Sequence, residues 1–201
     1  MTDRPPVYDR LAAHYDRWMR PLERMGLRAL RARVLGELPE GALLLEVGAG
    51  TGANFEHYPR AAVGAAVEPS GEMLARAARR AERPRGVQLI QSRAEQLPFA
   101  DASFDAAFAT LVFCSVASPA AGFSELRRVV RPGGVVALLE HVRPRWPLGY
   151  AFDALSFLTE RLFEDHFNRR TALEAERAGL RVVRVEERLL GALQLIVCRA
   201  G

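Results

Sequence analysis

Leu43-Leu44-Leu45-Glu46-Val47-Gly48-Ala49-Gly50-Thr51-Gly52 is the stretch that decides the fold class. Three leucines make a buried strand. Glu46 stands at its carboxyl end, where open parallel sheets hold their ligands. Gly48, Gly50 and Gly52 then let the backbone turn tightly and pass close to a ligand, because no Cβ intervenes. A strand end, an acid and a glycine turn together indicate a nucleoside-type cofactor. The glycines are spaced G-x-G-x-G, whereas the dinucleotide fingerprint is G-x-G-x-x-G. That spacing, with Glu46 inside the motif, steers the reading away from NAD.

Outward from this stretch, strands and helices alternate. Residues 7 to 38 have helical periodicity, with Val7, Leu11, Tyr15, Trp18 and Leu22 three or four apart. A first helix gives way to a second near residue 21, which ends at Pro39-Glu40-Gly41. Asn54 to Tyr58 begin a crossover helix that Pro59 cuts short. Strands are expected at 61–67, 87–91, 104–109 (continuing to Cys114) and 135–139. Ser70 is an N-cap for a helix over 71–82. Ser118-Pro119 opens another, with arginines at its far end and Pro132-Gly133-Gly134 to break it. Residues 142–165 are the least regular, with an apolar helical period over 150–163, and a helix follows over 168–178. Leu180 to Glu187 and Leu193 to Arg199 read as a hairpin about Gly191. The whole predicts one α/β domain on a doubly wound parallel sheet. Its parts are a helical cap (1–38), a cofactor-binding core (42–141), a substrate lid (142–178) and a terminal hairpin (180–199).

Composition narrows the function classes. The chain has 201 residues, 49% of them hydrophobic and 26% charged, as in ordinary globular proteins. All 28 basic residues are arginine, and they are scattered among acids, which argues against a nucleic-acid stripe. Cys114 and Cys198 make neither a disulfide framework nor a zinc signature, so no metal is expected. No secretory leader or membrane-length apolar run is evident, so a cytoplasmic setting is expected.

Four motifs in order now resemble one family. Glu46-Val47-Gly48-Ala49-Gly50-Thr51-Gly52, the acid Glu68, the loop Ala94-Glu95-Gln96-Leu97-Pro98-Phe99 and Arg131-Pro132-Gly133-Gly134 are similar to the class I S-adenosylmethionine-dependent methyltransferases. Gly50-Thr51-Gly52-Ala53-Asn54-Phe55-Glu56-His57-Tyr58-Pro59, Leu111 to Val116 and Glu140-His141-Val142 resemble, more locally, the methyltransferase-like thiol methyltransferases. Their bacterial relatives are often described as phospholipid or quinone methyltransferases. The resemblance implies a Rossmann-like, seven-stranded sheet whose terminal hairpin supplies the antiparallel strand. It also implies S-adenosyl-L-methionine as cofactor. Glu46, Gly48, Gly50 and Gly52 would meet its methionine part, and Glu68 its ribose hydroxyls. Pro69 and Met73 would pack around the adenine, Ala94 and Glu95 would lie at its edge, and Leu111 would border the methionine chain. Relatives often carry an acid where Arg93 stands here. Arginine cannot accept a hydrogen bond, so the backbone or Glu95 would read the adenine.

Methyl transfer from a sulfonium is an in-line displacement that needs positioning and a dry pocket. A base is needed only for an acceptor that holds a proton. His141, at the end of the fifth strand, is the candidate; Tyr15 is a second, and Asp153 and His166 are weaker ones. Cys114 reads as pocket lining. Trp18, Trp146, Tyr150, Phe152, Phe157 and Phe163 suit a small apolar or aromatic acceptor: a thiol, a phenol or quinol, or a lipid amine. The 150–163 helix could instead touch a membrane or form a homodimer face. Two other readings stand beside this one: a protein that binds S-adenosylmethionine without turnover, and an NAD-type oxidoreductase.

Overall fold

The computed structural model describes residues 7–142 and 169–201. Seven strands form one sheet: β1 (Leu43–Val47), β2 (Val63–Glu68), β3 (Gly86–Gln91), β4 (Phe104–Thr110), β5 (Val130–His141), β6 (Arg181–Arg188) and β7 (Leu193–Arg199). Their order is β3-β2-β1-β4-β5-β7-β6. The first five run parallel, and β7 runs antiparallel to both β5 and β6. This is the seven-stranded sheet with an antiparallel terminal pair that the sequence led us to expect.

Helices cover both faces. α1 (Val7–Leu22), α2 (Arg28–Leu35) and α3 (Gly71–Ala78) lie on one, and α4 (Pro119–Val129) and α5 (Thr171–Arg177) on the other. The side-chain period of two in each strand divides the core accordingly. Leu45, Val136 and Leu138 pack with Phe123, Leu126 and Ala175. Leu44, Phe108 and Leu139 pack with Leu27, Val34 and Leu35. Phe113 stacks flat on Phe123, with ring centroids 3.9 Å apart.

Local chemistry sets the boundaries. The Ser70 hydroxyl accepts from Met73 N at 3.1 Å and caps α3. Ser118 caps α4 with Pro119 in its first turn. The two N-terminal helices are joined by a wide π-turn, Glu23–Leu27, where Gly26 leaves helical geometry at φ 123°. Three elements differ from expectation. The crossover helix after β1 is only a 3-10 turn, Phe55–His57. β4 stops at Thr110 instead of reaching Cys114, because Leu111 turns into the left-handed region at φ 58°. β5 begins at Val130, before Pro132-Gly133-Gly134, and joins β4 through a register shift between Phe104 and Ala106. The 150–163 helix, Trp146, Asp153 and His166 lie outside the described residues.

Candidate functional site

β1 sits at the point where the strand order reverses, with β2 on one side and β4 on the other. In open α/β sheets this is the place, beyond the strand ends, where ligands bind. Gly48 N and Ala49 N both donate to Val67 O, at 2.8 and 2.9 Å, which hangs the glycine turn on the end of β2. Gly50 N donates to Glu68 Oε2 at 2.9 Å, and Ser70 N donates to Glu68 Oε1, also at 2.9 Å. Glu68 is buried, and burial raises its pKa against these two bonds. A carboxylate has about four acceptor positions. Two are taken by backbone, so two remain for a vicinal pair of hydroxyls.

Glu46 is fully buried beneath the same turn. Asn54 Nδ2 donates to its Oε1 at 2.6 Å and the Tyr58 hydroxyl to its Oε2 at 2.7 Å. Burial pushes its pKa up to about 7, opposed by those two bonds and by the Arg31 charge. Arg31, from α2, donates to Asn54 Oδ1 at 3.1 Å, to the Thr110 hydroxyl and to Glu23 Oε1 at 3.0 Å. One buried network therefore runs from the π-turn to the glycine turn and the end of β4. Glu46 holds the shape of the turn through Asn54 and Tyr58. The glycine motif pointed to Glu46, and Asn54 and Tyr58 lay in the quoted Gly50–Pro59 stretch without a role, while Arg31 had no signal beyond its residue type.

The ends of β4 and β5 make a second turn. Leu111 N donates to Leu139 O at 2.7 Å. Glu140, fully buried, accepts from Val112 N and Phe113 N at 3.1 Å each. Burial pushes its pKa up to about 7, opposed by these N–H groups and by the Arg169 charge. His141 alternates with Glu140, so it faces the α2 side with Leu139 and is half-buried. Burial holds its imidazole down at about 4, so it is neutral at pH 7. A base that weak is poorly matched to proton abstraction near neutrality.

The 94–99 loop is tied to α4. Glu95 Oε1 accepts from Ala117 N at 3.0 Å and Ser118 N at 3.2 Å, so its carboxylate already serves the start of that helix. Ala94 is packed in the core, and Arg93 is exposed. Met73 is fully buried, while Pro69 is exposed, with its carbonyl accepting from Gln91 Nε2. α1 closes over the site from outside. Asp9 accepts from the Ser70 hydroxyl and from Glu72 N, and Asp16 accepts from the Thr51 hydroxyl at 2.5 Å. Tyr15 is half-buried on α1 with its ring edge-on to Tyr8, 6.3 Å away. Asp9 and Asp16 were not singled out in the sequence. Their signal was two acids seven apart on one helical stripe. Cys114 is buried, and so is Cys198, whose thiol burial pushes up to about 12.

A Cβ at Gly50 would stand in open space, and Glu68 beside it keeps acceptor capacity. The family described as "Methyltransferase domain" matches residues 45–138. The chain is 35% identical over 150 residues to thiol S-methyltransferase TMT1B of Mus musculus, covering 71% of this chain and 62% of that one. It is 30% identical to the ubiquinone/menaquinone biosynthesis C-methyltransferase UbiE of Hahella chejuensis, covering 75% and 65%. The chain thus spans somewhat under two thirds of these relatives. A SAM-dependent methyltransferase structure from Thermotoga maritima superposes with a TM-score of 0.74 at 24% identity, covering 97% and 98%. Residues 45–138 thus match a methyltransferase domain, and the chain has the fold of the SAM-dependent methyltransferase structures.

Proposed function

We propose that this chain transfers the methyl group of S-adenosylmethionine to a small apolar acceptor, a thiol first and a quinol second. The observation that carries the cofactor half is Glu68: two backbone N–H groups fix its carboxylate at the strand switch point, beside Gly50, where a Cβ would meet nothing within 4 Å. The cofactor supplies an activated methyl on a sulfonium, so positioning accounts for most of what the protein must do. Glu68 would take the ribose hydroxyls. The turn Gly48–Gly52, braced by Glu46 and Asn54, would lie against the methionine end. Leu111, held by Leu139 O, would border the same chain.

The weakness of His141 as a base supports an acceptor that sheds its proton unaided. A thiol does so, since a few per cent is already thiolate at neutral pH and thiolates are strong nucleophiles. Of the relatives named above, one is a thiol S-methyltransferase and the other a C-methyltransferase of ubiquinone/menaquinone biosynthesis, which supports this choice. His141 and Tyr15 would then orient the acceptor, and neither would remove its proton. The test is a turnover screen with radiolabelled methyl donor across alkyl and aryl thiols, quinols and phospholipid amines. Transfer to thiols, with a rate that follows the thiol's own ionisation and survives His141→Asn, is the expected result. Label in phospholipid alone would overturn the acceptor assignment. Tight cofactor binding with no transfer to any class would leave a binding protein without turnover.

A further inference from the structure

The outer side of α1 carries two features that the methyl-transfer site does not use. The first is an apolar stripe. Trp18, Leu22 and Met25 follow one another at four- and three-residue spacing and are 54%, 46% and 80% exposed. The second is a charge segregation. Every described acid of α1 and the π-turn is engaged by a partner: Asp9 by Ser70 and Glu72, Asp16 by Thr51 and Arg80, Glu23 by Arg31. The arginines Arg17, Arg20 and Arg24 stay outside, exposed, and none makes an ion pair among the described residues.

α3 extends the same charge. Asp9 meets its start and Asp16 meets Arg80 beyond its end, so the two helices run side by side in one direction. Between them lies an open cleft of about 280 Å³, lined by Asp16, Thr51, Arg76, Arg79 and Arg80. Arg80 is paired with Asp16, whereas Arg76 and Arg79 have no ion-pair partner among the described residues. Arg20 sits one turn past Asp16, on the flank beside that cleft.

We propose that this α1–α3 face is a docking surface for an anionic lipid bilayer. Exposed arginines at this density favour a negative surface, but they do not explain a tryptophan and a methionine left in water among them. A bilayer interface accounts for both. It takes the apolar stripe to headgroup depth while the guanidinium groups meet the phosphates. Tryptophan is at home there, with its ring body in apolar surroundings and its N–H among polar groups. The proposal places the membrane-facing element on α1, and it is independent of which acceptor is methylated.

The test uses the full chain and extruded vesicles of equimolar phosphatidylglycerol and phosphatidylcholine, against phosphatidylcholine alone. Co-sedimentation only with the anionic vesicles is expected, declining as salt rises from about 0.1 to 0.5 M and the Debye length shortens. Trp146→Phe leaves Trp18 as the sole tryptophan, and its emission should shift to the blue on anionic vesicles. Arg17→Gln and Arg20→Gln should each lower partitioning by roughly fivefold. Trp18→Ser with Met25→Ser should abolish it. The arginine variants change only exposed side chains, so they decide the matter even where the apolar pair fails to fold. Four results would overturn the proposal: no anionic selectivity; partitioning unchanged in the arginine variants; retention by duplex DNA without vesicle binding; or a dimer that Trp18→Ser dissolves, with no affinity for vesicles.

Discussion

Two turns at the carboxyl edge of the sheet are built on one plan with different materials. After β1, Gly50 donates its N–H to Glu68 of β2. After β4, Val112 and Phe113 donate theirs to Glu140 of β5. In each case a buried acid on the neighbouring strand end gathers the backbone of the turn. The difference lies in the residue that reverses the chain. Gly50 adopts φ 54° with open space where a side chain would be, while Leu111 adopts φ 58° as a leucine. A non-glycine residue there costs roughly 1–2 kcal/mol, and the N–H bonds to Glu140 offset it. The first turn is therefore open to a ligand, and the second is a closed wall with a leucine at its corner. The two touch: a Cβ on Gly48 would lie 2.3 Å from Val112 Cγ2.

Removing the acid of the closed turn should have the largest effect. Glu140→Ala strands two buried N–H groups, each worth about 1–3 kcal/mol, and leaves Leu111 strained. Chemical denaturation should show about 4 kcal/mol lost, once the relief of a buried carboxyl is set against a cavity. A loss below about 1 kcal/mol would show that the turn holds itself. Next comes the contact between the turns. Gly48→Ala meets Val112 and adopts φ 75°, so overpacking and strain together should cost about 3 kcal/mol. The same assay should find it nearly as unstable as Glu140→Ala, and stability close to the parent would refute the contact.

The acid of the open turn should show itself in binding. Glu68→Ala should weaken S-adenosylmethionine by about 1–3 kcal/mol in calorimetry, since it removes a charged acceptor. Unchanged affinity would place the ribose elsewhere. The closed turn also predicts a pH dependence. Glu140 is pushed up to about 7 in the fold and ionises near 4.5 when unfolded, so the folded state holds the extra proton between those values. That proton's contribution is fully present below about pH 4.5 and is lost as pH rises through about 7. Glu46 has the same sign and range. Melting temperature should therefore fall across this window, and Glu140→Gln, which keeps a neutral acceptor, should flatten the fall. An equal slope in that variant would assign the effect to Glu46 or Glu68.

The contrast also explains what could be read from the residues alone. Glycine spacing and alternating apolar runs are local, so the first turn, the strand alternation and the hairpin were visible in sequence. Glu68 was legible as the acid that ends the second strand, and its ribose role came only with the family resemblance. Glu140 was not, because a glutamate after Leu138-Leu139 carries no mark of the turn it holds 28 residues earlier. Leu111 was assigned to a continuing strand for the same reason: nothing in Thr110-Leu111-Val112 announces a left-handed residue. Arg31 needed the tertiary fold too, since its partners Asn54 and Thr110 come from two other elements. Glu95 shows the opposite case. Its motif was read as an adenine contact, and the fold adds that its Oε1 holds the start of α4.

The smallest effect tests the comparison most closely. Gly50→Ala places a methyl in the left-handed region but against nothing. The strain of roughly 1–2 kcal/mol is partly returned by the lower entropy of the unfolded chain. Net destabilisation should be about 1 kcal/mol, a fall of roughly 2–4 °C in melting temperature for a chain of this size. The open hollow, however, is where the cofactor would come nearest the backbone. The variant should lose cofactor affinity severalfold with little loss of stability, the reverse of Gly48→Ala. Equal destabilisation of the two alanine variants would mean that the first turn is packed as tightly as the second, and the distinction between an open and a closed turn would fail.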